Sequence, residues 1–404
     1  MRVLFTTNPG IGHLNPMLPL AHALQQSGHE IAFASAESFA PSIQAHGFQC
    51  FAAGLDWLQS QLEQAFPETQ HMSLEELSAW FIGDLFADIA AQHMAPDLIA
   101  LCRSWQPDVL VRNDFEFGGY IAAECLGLPH ATVSISFFLP IATLEPLIGD
   151  QIAFLRSAHG LAPYPALDRL YHYLYLASGP LRCQSQTLPV MHAIQTEALV
   201  SASDATLPSW LTQLPAQPTV YASMGTVFNR TGDIFPTILA ALHDEPVNLI
   251  LTIGRNQDPE QFGPQPAHIH IEQFIPQSLL FPYCDLFITH TSFHTMMSAF
   301  KYGLPLLMLP ISADEPVCAL RGLDLGIGQI IKRPGQFNQF FDRSVPELSV
   351  EAVRSAVHEL LQNDTYRRNA RQLRDEIQAL KDLSHAVDLL VSLAAEKTPR
   401  IAGR

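Results

Sequence analysis

The chain begins MRVLFTTNPGIGHLNPMLPLAHALQQSGHEIAFAS, residues 1–35, and this stretch decides the fold. Its first seven residues form an apolar run typical of a buried strand, and a glycine-containing turn follows at Asn8–Gly12. Apolar residues then recur with helical spacing over Pro16–Ser27, and Gly28 is a residue type at which helices end. His29–Ser35 is the next apolar run. The order strand, turn, helix, strand predicts a βαβ unit and therefore a parallel sheet.

The same alternation continues along the chain. Pro107–Arg112 predicts a strand, Gly118–Leu126 a helix and Ala131–Ile135 another strand. Thr206–Thr219 contains three prolines and is the predicted linker. A second series follows, with strands at Val220–Ser223, Leu249–Ile253, Ile269–Glu272, Leu286–Thr289 and Pro305–Pro310, and helices at Ile234–Leu242, at His294–Tyr302 and from Val350 onward.

The two series predict an α/β protein with two doubly wound domains. A chain of 404 residues is too long for one ordinary core and suits two. We place an N-terminal domain at residues 1–207, a C-terminal domain at 219–385 and a final helix at 386–404. Residues 55–100 and 137–200 lack sharp strand patterns, and we interpret them as helical and loop insertions.

The composition limits the partners of the chain. Lys plus Arg is 22 and Asp plus Glu is 39, so the net charge is 22 − 39 = −17. An acidic protein repels phosphate backbones at long range, which argues against nucleic acid as a partner. A small anion such as a nucleotide can still bind locally at a helix N-terminus. Hydrophobic residues make up 48% of the chain, which is enough for large cores.

Cysteine spacing and the N-terminus predict a cytoplasmic protein. The six cysteines are scattered without a C-x-x-C pair, which fits reduced thiols better than a zinc site or a disulfide framework. The first apolar run is too short for a signal peptide. No apolar run approaches the roughly 18 residues that cross a bilayer.

The first candidate site is the turn Asn8–His13. Ligands of open α/β sheets bind beyond the carboxyl ends of the strands, where His13 lies. A histidine there suits a general base, because its ordinary pKa is close to physiological pH; a helix-capping or exposed histidine is the alternative. A dinucleotide fingerprint needs a third glycine at position 15, where this chain has Asn15, and this disfavours NAD.

Acidic residues follow the strand that ends at Arg112. Asp114 or Glu116 could reach the far ring nitrogen of His13, fix its tautomer and stabilise the imidazolium. The alternative is that these acids cap the following helix, and spacing alone favours it.

A third candidate site lies between a strand and a helix at His290–Thr295. Backbone N–H groups at a helix N-terminus bind anions, and the hydroxyls of Thr291, Ser292 and Thr295 would add donors; simple helix capping is the alternative. Asp314 and Glu315 follow the next predicted strand, where paired acids can accept hydrogen bonds from sugar hydroxyls or merely form a solvated turn.

Three other kinds of site have weak or no support. No D-x-D pair occurs, so a metal bound to a diphosphate has no obvious ligands. His268 and His270 alternate along a predicted strand, which favours surface histidines over a metal site. No G-x-S-x-G elbow is present, which argues against an α/β hydrolase.

Together these features resemble the GT-B glycosyltransferases of the UDP-glycosyltransferase superfamily (family 1), in particular bacterial members that glycosylate natural products such as macrolides and enediynes. The resemblance covers nearly the whole chain. It is carried by P-G-x-G-H-x-N-P-x-x-P-L at Pro9–Leu20, V-Y-x-S-x-G-T-V-F-N at Val220–Asn229, F-I-P-Q at Phe274–Gln277, C-D-L-x-x-x-H at Cys284–His290 and G-L-P-L-L-x-L-P-x-x-A-D-E-P at Gly303–Pro316.

The resemblance implies two Rossmann-like domains that face each other across a cleft, with the acceptor mainly in the first domain and the nucleotide sugar in the second. The final helix is expected to return to the first domain. The histidine matching His13 is the family's base and inverts the anomeric carbon through an activated acceptor hydroxyl. Asp114 is the first choice for its acidic partner and Glu116 the alternative, because relatives often have Asp where this chain has Asn113.

The resemblance also implies a donor site for a UDP- or dTDP-sugar, with no metal or other cofactor. Gly225 and Thr226 match positions at the diphosphate, and Asp314 and Glu315 match a pair that holds sugar hydroxyls. The full set of expected donor-binding residues is Gly12, Gly225, Thr226, Phe274, Ile275, Gln277, His290, Thr291, Ser292, Thr295, Asp314 and Glu315.

The chain departs from the family pattern at Thr291 and Ser292, where two glycines are usual. Side chains there could narrow the phosphate site or replace lost contacts. A catalytically impaired relative acting as a partner protein therefore remains as an alternative. A nucleotide-sugar epimerase is a further alternative, because it also uses two facing α/β domains. The apolar insertions suggest a hydrophobic small-molecule acceptor. No nucleic acid and no transmembrane segment are expected, and a homodimer is compatible with the sequence.

Overall fold

The computed structural model describes residues 1–162, 167–195, 206–225, 232–312, 314–336, 341 and 344–403. The chain folds into two compact units. The first unit comprises Met1–Leu199 and Leu380–Arg404, and the second comprises Val200–Ala379.

The first unit contains a seven-stranded sheet in the order β3-β2-β1-β4-β5-β6-β7. Every neighbouring pair in it is parallel, as the sequence predicts. Its strands are β1 (Arg2–Thr6), β2 (Glu30–Ser35), β3 (Gln49–Ala52), β4 (Val109–Asn113), β5 (His130–Val133), β6 (Leu174–Ser178) and β7 (Met191–Ile194).

Helices cover both faces of this sheet, which is why its strands are almost continuously apolar. Because side chains alternate along a strand, Val3 and Phe5 join one core while Leu4 joins another on the opposite face. The helices before the second unit are α1 (Ile11–Leu14), α2 (Leu18–Gln26), α3 (Ala40–Gln44), α4 (Leu62–Ala65), α5 (Leu74–Trp80), α6 (Ala91–Trp105), α7 (Gly118–Leu126) and α8 (Ile141–Ala158).

A π-helical segment, Phe81–Ala90, joins α5 to α6. Short 3₁₀ turns occur in both units. They are Glu37–Phe39, Gln59–Gln61, Pro67–His71, Leu167–Tyr171, Leu181–Cys183, Ser209–Gln213, Pro259–Phe262 and Phe281–Tyr283.

The second unit contains a six-stranded parallel sheet in the order β10-β9-β8-β11-β12-β13. Its strands are β8 (Thr219–Ser223), β9 (Asn248–Thr252), β10 (Ile269–Glu272), β11 (Leu286–Thr289), β12 (Leu306–Met308) and β13 (Gly328–Ile330). Its helices are α9 (Ile234–Leu242), α10 (Gln277–Leu280), α11 (Phe293–Tyr302), α12 (Glu315–Asp324), α13 (Val350–Gln362) and α14 (Asp364–Gln378). The prediction of two Rossmann-like, doubly wound parallel sheets is therefore confirmed.

The last helix, α15 (Leu383–Glu396), belongs to the first unit. Leu390 and Leu393 are fully buried in the same core as α2 and β1. Beyond α15, the backbone N–H of Arg400 donates to the carbonyl of Tyr173 at 2.8 Å, which ties the C-terminal residues to this unit.

Both sheets reverse their strand order at one point. In the first sheet the chain winds outward from β1 to β3 and then in the other direction from β4 to β7, so the reversal lies between β1 and β4. In the second sheet the corresponding pair is β8 and β11. Loops diverge where the strand order reverses, and the crevice beyond the carboxyl ends of these strands is where open α/β sheets bind ligands.

One interpretation of the sequence needs correction. The region 137–200, interpreted as helical and loop insertion, contains β6 and β7. Their apolar runs are only five and four residues long, and runs this short cannot be told from helix by periodicity. The described residues of the predicted linker pack against the second unit. Leu211 is buried, and the indole of Trp210 stacks on the ring of His270 with centroids 3.9 Å apart.

Candidate functional site

His13 lies directly beyond the carboxyl end of β1, at the reversal point of the first sheet. It is in α1, whose four residues begin after Gly10. The side chain is buried, and its ring meets the ring of Phe86 edge-on with centroids 5.2 Å apart. The backbone of Gly10 lies close to the same ring, since a Cβ at Gly10 would be 3.2 Å from His13 Cδ2. Gly12, on the same turn, is exposed.

Asn113, the last residue of β4, is a hydrogen-bond partner of His13. His13 Nδ1 lies 3.4 Å from Asn113 Oδ1. The strands β1 and β4 are neighbours, and Thr6 pairs with Arg112 in their register, so their ends are level. The parallel sheet therefore brings together two side chains that are 100 residues apart in the sequence.

The structure does not place either predicted acid in hydrogen-bond contact with His13. Asp114 accepts hydrogen bonds from the hydroxyl of Tyr175 at 2.6 Å and from the backbone N–H of Ile135 at 2.8 Å. Burial raises the pKa of Asp114 to about 6, although these two bonds and nearby Arg112 pull it down. Asp114 thus holds the loops after β4 and β5 together.

Glu116 is also engaged elsewhere. Its carboxylate accepts hydrogen bonds from the hydroxyl of Thr6 and from the backbone N–H of Gly119, in the first turn of α7. Burial raises its pKa. The capping interpretation that spacing alone favours describes Glu116 well.

Arg112 organises the loop that carries these residues, and spacing gave no sign of this role. Its guanidinium is fully buried and donates to the backbone carbonyls of Asn113 and Glu116 at 3.0 and 3.2 Å and to the carbonyl of Leu170. It also lies 5.3 Å from the ring centroid of Tyr171. The sequence feature that could have pointed to this role is an arginine directly before a polar turn.

In the second unit, His290 lies beyond β11 and Gly225 lies beyond β8, the two strands at the reversal point. Gly225 has a φ of +76°, and a Cβ there would lie 2.7 Å from His290 Nε2, so glycine is needed at this position. His290 is buried, and its Nδ1 has no hydrogen-bond partner among the described residues. Such an atom in a buried position indicates a site for a ligand.

Burial lowers the pKa of His290 to about 4, although a hydrogen bond with the backbone of Ser223 acts in the opposite direction. The ring is therefore neutral at pH 7. It offers hydrogen bonds rather than a full positive charge.

The N-terminus of α11 follows His290. Ser292 occupies the N-cap position without capping the helix, and its hydroxyl donates to Thr295 Oγ1 at 2.9 Å. Thr291 is fully buried, and its hydroxyl lies within hydrogen-bond distance of the carbonyls of His290 and Glu315. The first N–H groups of a helix lack partners within it and carry a partial positive charge, so this end can bind an anion.

Asp314 and Glu315 begin α12, beside this loop. Glu315 Oε2 accepts hydrogen bonds from the backbone N–H groups of Ile311 and Ser312 at 2.6 and 2.8 Å, and its Oε1 lies 3.9 Å from His290 Nε2. Burial raises the pKa of Glu315 well above its ordinary value. Asp314 is half-buried at the N-cap of α12. Asp314 Oδ2 accepts a hydrogen bond from Cys318 Sγ at 3.4 Å, at the start of α12, whereas Glu315 is bound to the loop before the helix.

The segment Phe274–Gln277 follows β10. Phe274 is 41% exposed, and the guanidinium of Arg255 lies 4.2 Å from its ring centroid. Ile275 is buried and Gln277 is the first residue of α10. Thr226 lies outside the described residues.

Among the described residues, no group of three or more His, Cys, Asp and Glu side chains is arranged to hold a metal ion. Within the same ranges, no helix has the length and apolar character needed to cross a membrane.

Comparison with known proteins gives a consistent result. A family model described as erythromycin biosynthesis protein CIII-like, N-terminal domain, matches residues 22–143, and the C-terminal domain of the same family matches residues 237–392. The chain is 26% identical to 4'-demethylrebeccamycin synthase of Lentzea aerocolonigenes, over 97% of this chain and 99% of that protein.

Solved structures give the same result. The glycosyltransferase VinC, crystallised in complex with dTDP, has a TM-score of 0.76 and 25% identity, over 98% of this chain and 100% of VinC. The calicheamicin glycosyltransferase CalG4 has a TM-score of 0.77 at 20% identity, over 98% of this chain and 99% of CalG4, and supports the fold.

Proposed function

Because this chain belongs to the erythromycin biosynthesis protein CIII-like family of GT-B glycosyltransferases, we propose that it transfers a sugar from a UDP- or dTDP-sugar to a hydroxyl of a small hydrophobic natural product, with inversion at the anomeric carbon. Its relatives are nucleotide-sugar glycosyltransferases of natural-product pathways. The dTDP bound to VinC makes dTDP the first nucleotide to test.

The observation that carries this proposal is the site around His290. Three features meet there: a buried imidazole nitrogen with no hydrogen-bond partner in the described part of the chain, a glycine at position 225 where a Cβ would clash with His290, and the N-terminus of α11. We propose that the diphosphate of the donor binds at this site and that the helix dipole stabilises the charge of the leaving group. The groups that would contact the diphosphate are backbone N–H groups and the neutral imidazole of His290, which can bind an anion locally although the net charge of the chain is −17.

In the first unit, we propose His13 as the general base. The acceptor hydroxyl gives its proton to His13 Nε2, and its oxygen forms a bond to the anomeric carbon. The bond between that carbon and the phosphate oxygen breaks, and the nucleoside diphosphate leaves with the electron pair. The proposed step does not use a metal ion. We further propose the first unit as the acceptor-binding part, the second unit as the donor-binding part, and Asp314 as the acid that contacts the donor sugar.

Two variants test this assignment in opposite ways. His290→Ala should weaken binding of dTDP or UDP about tenfold or more, because a hydrogen bond to a charged phosphate is lost. His13→Ala should leave that binding unchanged and lower transfer to a screened acceptor by about 10²–10⁴-fold, because base catalysis is lost. Calorimetric titration and product analysis by mass spectrometry measure the two effects.

The alternatives make different predictions for the same samples. A non-catalytic relative would bind the nucleotide and form no product with any acceptor. An epimerase would convert the nucleotide sugar without an acceptor. Wild-type transfer by His13→Ala would contradict the assignment of the base, and undiminished nucleotide binding by His290→Ala would contradict the proposed diphosphate site.

A further inference from the structure

We infer that Asn113, an uncharged residue, positions His13 by accepting the proton on its Nδ1 and so keeps Nε2 as the unprotonated nitrogen. The inference concerns the site of the proposed function and rests on it for its catalytic consequence. The ring tautomer itself does not depend on what reaction the protein catalyses.

The amide of Asn113 has a fixed orientation. Its Oδ1 accepts the backbone N–H of Phe115 at 3.1 Å, and a backbone N–H can only donate, so this amide atom must be the oxygen. Its Nδ2 donates to Thr7 Oγ1 at 3.3 Å. Thr7 sends its own hydroxyl proton to the carbonyl of Asn8 at 3.1 Å, which leaves its oxygen as the acceptor.

This orientation fixes the roles at the histidine. The atom 3.4 Å from His13 Nδ1 is Asn113 Oδ1, which accepts and cannot donate. Nδ1 must therefore carry the proton in the neutral ring, and Nε2 has the lone pair that a base needs. The bond is long, so it favours one tautomer without the strength of a charged pair.

Three charged side chains belong to the same loop, and each is bound to other groups. Arg112 donates to backbone carbonyls, Asp114 is held by Tyr175 and Ile135, and Glu116 is held by Thr6 and Gly119. On the π-helical segment, the ring of Phe86, which has no charge, meets the ring of His13. When His13 takes a proton, the partner across Nδ1 therefore offers a dipole instead of a carboxylate.

The experiment compares Asn113→Asp, Asn113→Leu and Asp114→Asn with the wild type. Nitrogen-15 spectra of histidine-labelled protein report which ring nitrogen is protonated, and the His13 signals are assigned by their loss in His13→Gln. We expect a protonated Nδ1 and an unprotonated Nε2 in the wild type, in Asn113→Asp and in Asp114→Asn. In Asn113→Leu, whose side chain cannot accept, we expect the tautomers to mix.

The pH dependence of kcat/KM separates positioning from general structural damage. In Asn113→Asp, the midpoint of the acid limb of the profile should move up by about 1–2 pH units, since a nearby carboxylate raises the pKa of an imidazolium. In Asp114→Asn, this midpoint should not move. Asn113→Leu should lower kcat/KM about 10²-fold through the wrong tautomer while its nucleotide binding is retained. Asn113→Asp keeps the acceptor oxygen. If Asn113→Leu does not fold, the nitrogen-15 spectrum and pH profile of Asn113→Asp test the inference instead.

Clear outcomes would overturn the inference. A wild-type His13 protonated on Nε2 would contradict it, and so would an acid limb that moves in Asp114→Asn and not in Asn113→Asp, which would assign the role to Asp114. If no variant and no wild-type protein transfers a sugar, the proposed function fails while the tautomer data still decide the role of Asn113.

Discussion

Thr291 has a backbone conformation that favours glycine. Its φ is +70°, in the left-handed region, and its side chain is branched at Cβ and fully buried. The residue lies between the candidate phosphate-binding histidine, His290, and α11. Here the hydroxyl of Thr291 reaches the carbonyl of Glu315 at 3.0 Å, which joins the loop after β11 to the start of α12. This contact offsets part of the backbone strain.

When the hydroxyl of Thr291 is removed, the backbone strain should lower the free energy of unfolding. We expect Thr291→Ala to be less stable than Thr291→Gly by about 1 kcal/mol, because only alanine retains a Cβ in the left-handed region. The free energy of unfolding of the second unit, followed by hydrogen exchange in urea, measures the difference.

Thr295 provides the control for Thr291, because it lies inside α11. There the order should reverse, with Thr295→Ala more stable than Thr295→Gly by about 1 kcal/mol. The same order of stability at both positions would contradict the strain at Thr291.

Among the elements, the π-helical segment Phe81–Ala90 determines what faces His13. Hydrogen bonds in a π-helix join residues five apart, so Phe81 and Phe86 lie on one face, with ring centroids 5.6 Å apart. In an α-helix, residues five apart point about 140° away from each other. The π-helix therefore lets Phe86 contact His13 while Phe81 packs against Phe86.

Gly83 lets this segment pack closely on α8. A Cβ at Gly83 would lie 2.8 Å from the carbonyl oxygen of Leu147, which is too short for a real contact. We expect Gly83→Ala to destabilise the first unit by about 1–3 kcal/mol, because backbone must shift to make room. Thermal unfolding and hydrogen exchange of the first unit measure the change.

Gly149, within α8, is the matched control for Gly83. A Cβ there would meet only Glu145 Cγ, at 3.6 Å, which is an ordinary contact. Gly149→Ala should therefore stabilise the helix by about 0.5–1 kcal/mol. Equal effects of the two substitutions would show that the close packing at Gly83 is not a constraint.

At the scale of the whole molecule, the chain leaves the first unit, forms the second and returns with α15. The returning helix completes a core that residues 1–199 leave unfilled, since Ala386, Leu390 and Leu393 are all fully buried against it. The first unit is therefore not continuous in sequence.

We expect Leu390→Ala to cost about 2–5 kcal/mol, because it leaves a cavity in this core. Val391, the next residue, is 39% exposed, and Val391→Ala should change stability by about 0.5 kcal/mol or less. In hydrogen exchange, Leu390→Ala should lower the protection of β1 and α2 and leave β8 to β12 unaffected. Loss of protection confined to the second unit would contradict this assignment.

The amino-acid sequence alone was sufficient for the class of fold and for the position of each candidate site along the chain. Apolar runs that alternate with helical patterns follow from local hydrogen bonding and burial, so they can be read without tertiary contacts. The turn containing His13 and the loop after β11 were found in this way. The strands β3, β6, β7 and β13 were missed, because runs of three to five residues fit either a helix or a strand.

Tertiary structure alone decided which side chains meet. Asn113 lies opposite His13, and Asp114 does not, because adjacent residues at the end of β4 point in different directions. The two residues are adjacent in the sequence, and the sequence cannot tell which one faces His13. The register of β1 and β4 and the return of α15 depend on contacts across about 100 residues or more, and the burial of Arg112 depends on contacts with Leu170 and Tyr171. No local pattern encodes such contacts.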